Sequence, residues 1–155
     1  MILKTKWNWK FYFTCILTTL LMFFVIFYKI CVVKGPSMNP TLQHGDTLIL
    51  RKSHNPKRGQ IIVFRDVTKD RILIKRVIAV SGDHLVIKNS KIYLNGKQLS
   101  EPYLKESHFS GDQNIKIPKG KLFVLGDNRN CSRDSRSFGC VKKEEMIGYM
   151  MFSWN

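Results

Sequence analysis

The pattern of apolar and polar positions divides the chain into one long uncharged run and a series of short alternating segments. Residues 11–28, FYFTCILTTLLMFFVIFY, carry no charge. With 30–33 beyond Lys29 they make a stretch of about 20 apolar residues, enough for a helix to cross a hydrocarbon core of about 30 Å. Lys4, Lys6 and Lys10 precede the run, with Trp7 and Trp9 among them and no acidic residue. Trp7, Trp9 and Tyr28 suit the two membrane interfaces, and Lys29 can extend its ammonium to the headgroups. The pattern predicts three parts: a cytoplasmic N-terminus (1–10), a transmembrane anchor (11–33) and a domain on the extracytoplasmic side (34–155). The compact lysine cluster at the start sets that orientation for a single-pass protein of the cell membrane, N-terminus inside. A cleaved leader would have a shorter core and a small-residue exit. This exit reads Tyr28-Lys29-Ile30-Cys31-Val32-Val33-Lys34 and offers no Ala-x-Ala.

Beyond the anchor the period changes. Residues 45–50 (GDTLIL), 60–64 (QIIVF) and 71–80 (RILIKRVIAV) are β-branched, apolar runs bounded by turn residues, and each predicts a strand. Residues 84–88 and 91–94 predict a hairpin joined by Asn89-Ser90, and Asn95-Gly96 is a second turn signal. Residues 101–118 are polar and turn-rich, and predict an extended excursion with little regular structure. Residues 121–125 (KLFVL) predict a strand, and 146–153 a closing one. No segment after the anchor has a helical period. The fold class is mainly β: an antiparallel sheet, barrel or sandwich behind one N-terminal transmembrane helix.

Charge and cysteine usage narrow the picture. At 155 residues the chain suffices for one domain plus an anchor. A net charge of +15 fits either nucleic acid or an anionic membrane surface. The basic residues are spread along the chain, and no aromatic-basic repeat makes a base-stacking platform. Beside a membrane span, attraction to anionic lipids is the simpler explanation. Cys15, Cys31, Cys131 and Cys140 show no CxxC or Cys/His metal spacing, so neither metal nor cofactor is expected. Cys131 and Cys140 lie in the outer domain, where oxidation is permitted, and both a bridge and two free thiols are open.

The candidate chemistry starts at Lys34-Gly35-Pro36-Ser37-Met38-Asn39-Pro40-Thr41-Leu42. A serine stands between two prolines, behind a glycine. Proline fixes φ and lacks an N–H, so this is a tight irregular turn. A serine on a stiff corner suits a nucleophile, although an ordinary surface turn has the same composition. The hydroxyl needs a base. His44, His54, His84 and His108 lie in polar turns or loops outside any triad motif, where solvated histidines are usual. Lys75 shares a strand face with Leu73, Val77 and Ala79, while Arg76 lies on the other with Ile74 and Ile78. Apolar neighbours disfavour a charged amine. To act near neutrality the lysine pKa must fall by roughly two units from about 10.4, close to 3 kcal/mol of desolvation. An edge-strand lysine can also reach solvent, and the strand alone leaves both readings open. Further on, Asp134 and Arg136 would share a face in an extended conformation. With Asp127, Arg129 and Arg133 they form a mixed-charge cluster able to lock a loop through Arg–carboxylate pairs, or to stand solvated.

The motif Gly35-x-Ser37-Met38-x-Pro40-Thr41-Leu42 resembles the serine box of type I signal peptidases, membrane-bound Ser/Lys proteases that remove signal peptides from exported proteins. Ile74-Lys75-Arg76-Val77-Ile78-Ala79, followed by Ser81-Gly82-Asp83, resembles the family's lysine box. Arg58-Gly59-Gln60-Ile61-Ile62-Val63-Phe64 resembles its strand box, with Gln60 where Asp is usual. Gly126-Asp127-Asn128-Arg129-Asn130-Cys131-Ser132-Arg133-Asp134-Ser135-Arg136-Ser137-Phe138-Gly139 resembles its last box, with Asn130 and Cys131 where Asp and Asn are usual. The boxes occur in the family order and cover the anchor and nearly all of the outer domain.

The resemblance implies a signal-peptidase-like β-domain and a catalytic pair of Ser37 and general base Lys75. It implies that Ser132 hydrogen-bonds the lysine, with Asp127, Asp134 and Arg136 in support. It implies preprotein substrates cut after small residues in an Ala-x-Ala pattern. The short segment before the last box implies a minimal bacterial member without a large inserted domain. For the oxyanion the Ser37 N–H is the expected donor. Gly35 stands where some members have a serine donor, so no side chain supplies a second one there. Met38 is expected to pack on the Lys75 stem and keep it dry. Self-cleaving Ser/Lys repressors share this core but are soluble. A different class, a membrane-tethered basic β-domain that binds anionic lipid or cell-wall polymer without catalysis, is separated by cleavage of an Ala-x-Ala peptide.

Overall fold

In a computed structural model of the chain, which describes residues 8–67, 69–104 and 109–155, an apolar helix leads into two antiparallel sheets. The expectations for Lys4, Lys6, Trp7 and His108 lie outside the described residues. Helix α1, Trp9–Phe27, has 19 residues and reaches about 28 Å at 1.5 Å per residue. It is the one helix among the described residues long and apolar enough to cross a membrane. None of its residues is buried by the rest of the chain, so its apolar surface needs an apolar surrounding. Its threonine hydroxyls donate to carbonyls one turn back: Thr14 to Phe11 (2.8 Å), Thr18 to Thr14 (3.0 Å) and Thr19 to Cys15 (2.7 Å). Their polar atoms are thus satisfied without water.

The helix stops at Phe27, short of the expected anchor end at Val33. Residues counted as span form strand β1, Tyr28–Val32, which pairs antiparallel with β2, Thr47–Arg51. Ile30, Val32 and Val33 are β-branched, and a neighbouring strand offers them a full ladder that a bare helix end does not. Lys52 closes the junction: its Nζ donates to the Val25 carbonyl (2.8 Å) and its backbone N–H to that of Phe27 (2.9 Å). Two carbonyls of the last helical turn are thereby satisfied by a cation and an amide from the sheet.

After β2 come β3 (Ile61–Asp66), β4 (Arg71–Val80), β5 (His84–Lys88), β6 (Lys91–Leu94), β7 (Lys97–Gln98), β8 (Gln113–Lys116) and β9 (Lys121–Leu125). A short helix α2 (Ser135–Phe138), β10 (Val141–Lys142) and β11 (Met146–Trp154) complete the chain. The larger sheet has the order β1-β2-β11-β3-β4-β9-β10, the smaller β7-β6-β5-β8. The predicted hairpin is present. Asn89 (φ 50°) and Ser90 (φ 60°) both take positive φ, as a two-residue type I′ turn demands, and Asn95 and Gly96 repeat the geometry before β7. The excursion expected at 101–118 does contain a strand. β8 pairs with β5 from His84↔Lys116 to Ile87↔Gln113, although Ile115 is its only apolar residue.

Three apolar clusters fill the domain. Val33, Met38, Leu42, Leu48, Leu50, Ile61 and Val63 pack beneath the serine turn. Ile62, Phe64, Val77, Leu122, Val124, Val141 and Met146 form a second cluster, with Leu73 at its rim. A third joins the sheets through Ile78, Ala79, Leu85, Ile87, Ile92, Phe123 and Leu125. β4 supplies all three, because a register shift between Val77 and Ala79 breaks its alternation. The expected face of Leu73, Lys75, Val77 and Ala79 therefore holds only to Val77; Ile78 and Ala79 both turn into the cluster between the sheets. Asp83 ties the sheets at their junction, accepting from Arg58, from the Val80 N–H (2.9 Å) and from Asn95 Nδ2 (3.0 Å).

Candidate active site

The serine turn hangs from a closed loop. Val33 N–H donates to Asp46 O (2.8 Å) and Gly45 N–H to Val33 O (3.0 Å), so the two ends of 33–46 are stitched together. Within it, Asn39 N–H bonds Pro36 O (3.0 Å) and Leu42 N–H bonds Met38 O (2.9 Å). Met38 and Leu42 are both 1% exposed and anchor the turn in the core. Gly35 has φ +90°, a left-handed conformation that a side chain would strain. That backbone conformation favours glycine here, and no side-chain hydroxyl is offered at this position.

A second segment runs beside the turn. Asn128 N–H donates to Ser37 O (3.1 Å) and its side-chain amide to Pro36 O (3.3 Å). Gly126 makes this approach possible. A Cβ there would lie 2.5 Å from Ser37 O and collide with Ser132 Oγ. Gly126 is needed for space rather than for φ, and nothing in the sequence singled it out within its box.

Lys75 rises from β4 into this corner. Its Nζ lies 2.7 Å from Ser37 Oγ and donates to the Ile74 carbonyl at 2.9 Å. The residue is 2% exposed. Burial pushes its pKa down from 10.5 to about 8, against the opposing pull of the Asp134 and Asp127 carboxylates. The surroundings thus supply a shift of the size that base chemistry near neutrality needs. Among the described histidines none is bonded to Ser37: His54 meets the Lys143 carbonyl (3.0 Å), His84 meets Asn114 (2.8 Å), and His44 Nδ1 accepts from the Gly35 N–H (3.2 Å).

The remaining predicted residues divide between those brought to this corner and those that brace it. Ser132 lies close, against Gly126, but it does not hydrogen-bond Lys75. Its buried hydroxyl has no partner among the described residues, while the lysine spends its bonds on Ser37 and Ile74. Met38 shares the lining of one cavity with Lys75. Asp127 pairs in bidentate fashion with Arg76 (2.8 and 2.5 Å), and Arg76 also bonds Gly59 O (2.8 Å) and Thr41 Oγ1 (3.3 Å). One guanidinium therefore ties the lysine strand to both the serine turn and the last box. Asp134 caps α2 and accepts from Gly126 N–H (3.1 Å) and from Arg136 Nε and Nη2 (2.8 and 2.9 Å). The chain is helical at Arg136 rather than extended, yet the pair forms because the cap folds the carboxylate back. Arg136 goes on to the carbonyls of Arg129 (2.6 Å) and Ser110 (3.1 Å).

Glu101 and Tyr103 complete the brace from the stretch expected to be irregular. Glu101 pairs with buried Arg129 (2.5 Å) and accepts from the Tyr103 hydroxyl (2.7 Å). The Tyr103 ring lies 3.9 Å under the Arg76 guanidinium. No local pattern announces either residue, since their partners come from distant segments. The four cysteines are free, with Cys131 exposed and Cys140 half-buried.

A cavity of about 260 Å³ opens beside the pair, lined by Cys31, Val33, Met38, Ile72, Ile74 and the polar residues Lys34, Ser37 and Lys75 among others. It is chiefly apolar, with a hydroxyl and an amine meeting at its wall. That arrangement can bind an extended chain by small apolar side chains and carry out acyl transfer at its backbone.

Known proteins share this plan. The chain matches the family described as "Signal peptidase, peptidase S26" over residues 5–155. It is similar to signal peptidase I V of Bacillus subtilis (strain 168), with 42% identity over 134 residues, covering 75% of this chain and 79% of that protein. It is similar to signal peptidase I of Bacillus caldolyticus, with 38% identity over 167 residues, covering 96% of this chain and 89% of that one. Among solved structures, a signal peptidase I from Enterococcus faecalis V583 aligns with a TM-score of 0.56 at 33% identity, covering 61% of this chain and 96% of that one.

Proposed function

The chain belongs to the signal peptidase family, peptidase S26, and we propose that it works through a dyad in which Ser37 is the nucleophile and Lys75 the general base. It is a peptidase that acts on the signal peptides of preproteins. The observation that carries the dyad is the 2.7 Å approach of a buried amine to the Ser37 hydroxyl. In this reading the neutral Lys75 takes the Ser37 proton as Oγ attacks the scissile carbonyl carbon. The Ser37 N–H is one donor to the resulting oxyanion; with Gly35 lacking a side chain, the second donor is backbone or water. Collapse breaks the C–N bond, and Lys75 returns the proton to the leaving amine. A water, deprotonated by the same amine, then hydrolyses the acyl-serine. With a pKa of about 8, roughly a tenth of the lysine is neutral at pH 7.

Ser132, which the resemblance puts beside the base, acts through the packing of Gly126 against the serine turn, and Asp127, Asp134 and Arg136 hold the two segments in register. The chiefly apolar cleft is proposed to take substrates that are cut after small residues in an Ala-x-Ala pattern. Its floor includes residues 72–75 of β4, which pair with β3 on one side, while β9 pairs with β4 only from Arg76 onward. That open backbone edge suits an extended substrate. α1 is the proposed span, with the N-terminus inside and the catalytic domain on the extracytoplasmic side. At the helix-proximal end of the large sheet, exposed Ile30, Val32, Phe152 and Trp154 are aligned across β1, β2 and β11, and this face, with the basic surface, is proposed to rest on anionic lipids. The test is cleavage of a peptide with an Ala-x-Ala site by the purified full chain. Ser37→Ala should abolish it, and a Ser37→Ala protein that still cuts would refute the dyad.

A further inference from the structure

The backbone that delivers Ser37 has a gap in its support, and a histidine fills it. Val33 is held by two backbone bonds to the 45–46 segment, and Pro36 O and Ser37 O are held by Asn128. Between them Gly35 sits at φ +90°, with no neighbouring side chain or backbone within 4 Å of where a Cβ would point. Pro36 has no N–H to tie. Among the described residues, the bond from Gly35 N–H to His44 Nδ1 (3.2 Å) is what holds this stretch. His44 stands on a firm base for that task. Gln43 N–H donates to the Asp46 carboxylate (2.8 Å) and Asp46 N–H to Gln43 O (3.2 Å), closing the turn that carries the ring.

We propose that His44 is a positioning residue for the reaction: its ring fixes the Gly35 peptide and, through Pro36, the aim of the Ser37 hydroxyl at Lys75. The inference rests on the reading of Ser37 and Lys75 as the dyad. His44 touches neither the hydroxyl nor the amine, and takes no part in proton transfer. It acts by accepting one hydrogen bond, which needs the tautomer with its proton on Nε2. Loss of the acceptor leaves the Gly35 N–H without its partner just ahead of the nucleophile, while Pro36 keeps only the bonds to its carbonyl. Misaim of that kind lowers the rate of attack more than it weakens substrate binding.

The experiment compares wild type, His44→Ala, His44→Asn and Ser37→Ala as full chains in detergent on one Ala-x-Ala peptide, measuring kcat, KM and thermal midpoint. His44→Ala is expected to lose about fivefold or more in kcat, the scale of one hydrogen bond, with KM within about twofold. Asn places an acceptor oxygen near the Nδ1 position, so His44→Asn should recover at least half of the lost rate. A merely structural role would lower the thermal midpoint of both variants without the kcat rescue by Asn. Wild-type kcat in His44→Ala, or equal defects in the Ala and Asn variants, would overturn the proposal. If Ser37→Ala is dead while His44→Ala is unimpaired, only this inference fails; if Ser37→Ala cuts, the dyad fails and this inference with it.

Discussion

Burying an amine that the proposed mechanism requires to lose its proton makes Lys75 a source of instability, and Lys75→Met exposes it. The fold moves the Lys75 pKa from 10.5 to about 8. Because the folded value lies below the unfolded one, the charged amine penalises the folded state. The penalty is complete below about pH 8, shrinks between 8 and 10.5, and is gone above that range. From the shift it amounts to about 3 kcal/mol at pH 7, about 2 at pH 9 and under about 0.5 at pH 10.5. Methionine fills a similar volume without charge but forfeits the bonds to Ser37 Oγ and Ile74 O, about 1 kcal/mol each. The variant should therefore be inactive yet more stable than wild type by about 1 kcal/mol at pH 7, a rise of several degrees in thermal midpoint. The two proteins should match near pH 9, and the variant should be the weaker at pH 10.5. Thermal melts of both full-length proteins in the same detergent at the three pH values read the difference directly. A difference in midpoint that does not change between pH 7 and 10.5 would show that Lys75 is not held with a depressed pKa.

The pH profile of wild type follows from the same group: kcat/KM should climb through about pH 8 and level off on the alkaline side, since only the neutral amine accepts a proton. A rise centred near 6.5 would point to histidine instead, and Lys75→Arg, charged at every working pH, should cut no faster than Ser37→Ala. Gly126→Ala should reduce kcat/KM by about a hundredfold, because its Cβ would press on Ser37 O and the Ser132 hydroxyl. Gly148→Ala, whose Cβ would meet Arg51 O at 2.5 Å, should lower the thermal midpoint and spare the kcat of the folded fraction; equal kcat for the two alanine variants would refute the assigned role of Gly126. Protease added to intact cells should degrade the domain after Lys34, and protection until the membrane is breached would reverse the proposed orientation.

What the sequence discloses about this molecule is what depends on local rules. The turn at Ser37 is legible because proline and glycine restrict the backbone wherever they occur. The hairpin of β5 and β6 is legible because Asn-Ser and Asn-Gly accept positive φ. Lys75 is legible as a candidate because an apolar strand surrounds it, and its link to a serine came from the resemblance rather than from the strand. The rest depends on partners. Residues 30–33 are apolar enough for a membrane helix, and only pairing with β2 makes 28–32 a strand. β8 has one apolar side chain and exists because β5 offers an edge. The alternation along β4 fails at the bulge after Val77, which no composition marks. Glu101 and Tyr103 belong to the site through Arg129 and Arg76, and such distant pairings have no local signature. Ser132 is the reverse case. The resemblance of its box implies a bond to the lysine, and the chain places its hydroxyl against Gly126 with Lys75 bonded to Ser37 and Ile74.

β1 gives these features a common mechanical origin. It begins where α1 ends, and its end and the residues after it border the cleft: Cys31, Val32, Val33 and Lys34 are among the lining residues. Its five residues, at about 3.3 Å each, set roughly 17 Å between the end of the helix and the approach to Ser37. That length cannot flex freely, because β1 is laddered to β2 along its whole course and Lys52 clips the helix end to the same sheet. With α1 as the span, the nucleophile is held at a fixed short distance from the point where the chain leaves the membrane. A signal peptide carries its own apolar stretch and is cut just beyond it. On the proposed topology, substrate and enzyme would leave the bilayer side by side, and the cleavage site would meet the cleft without having to be drawn away from the surface. On that reading the early end of α1 is part of how the site works: residues that the span gives up border the cleft proposed to hold the substrate.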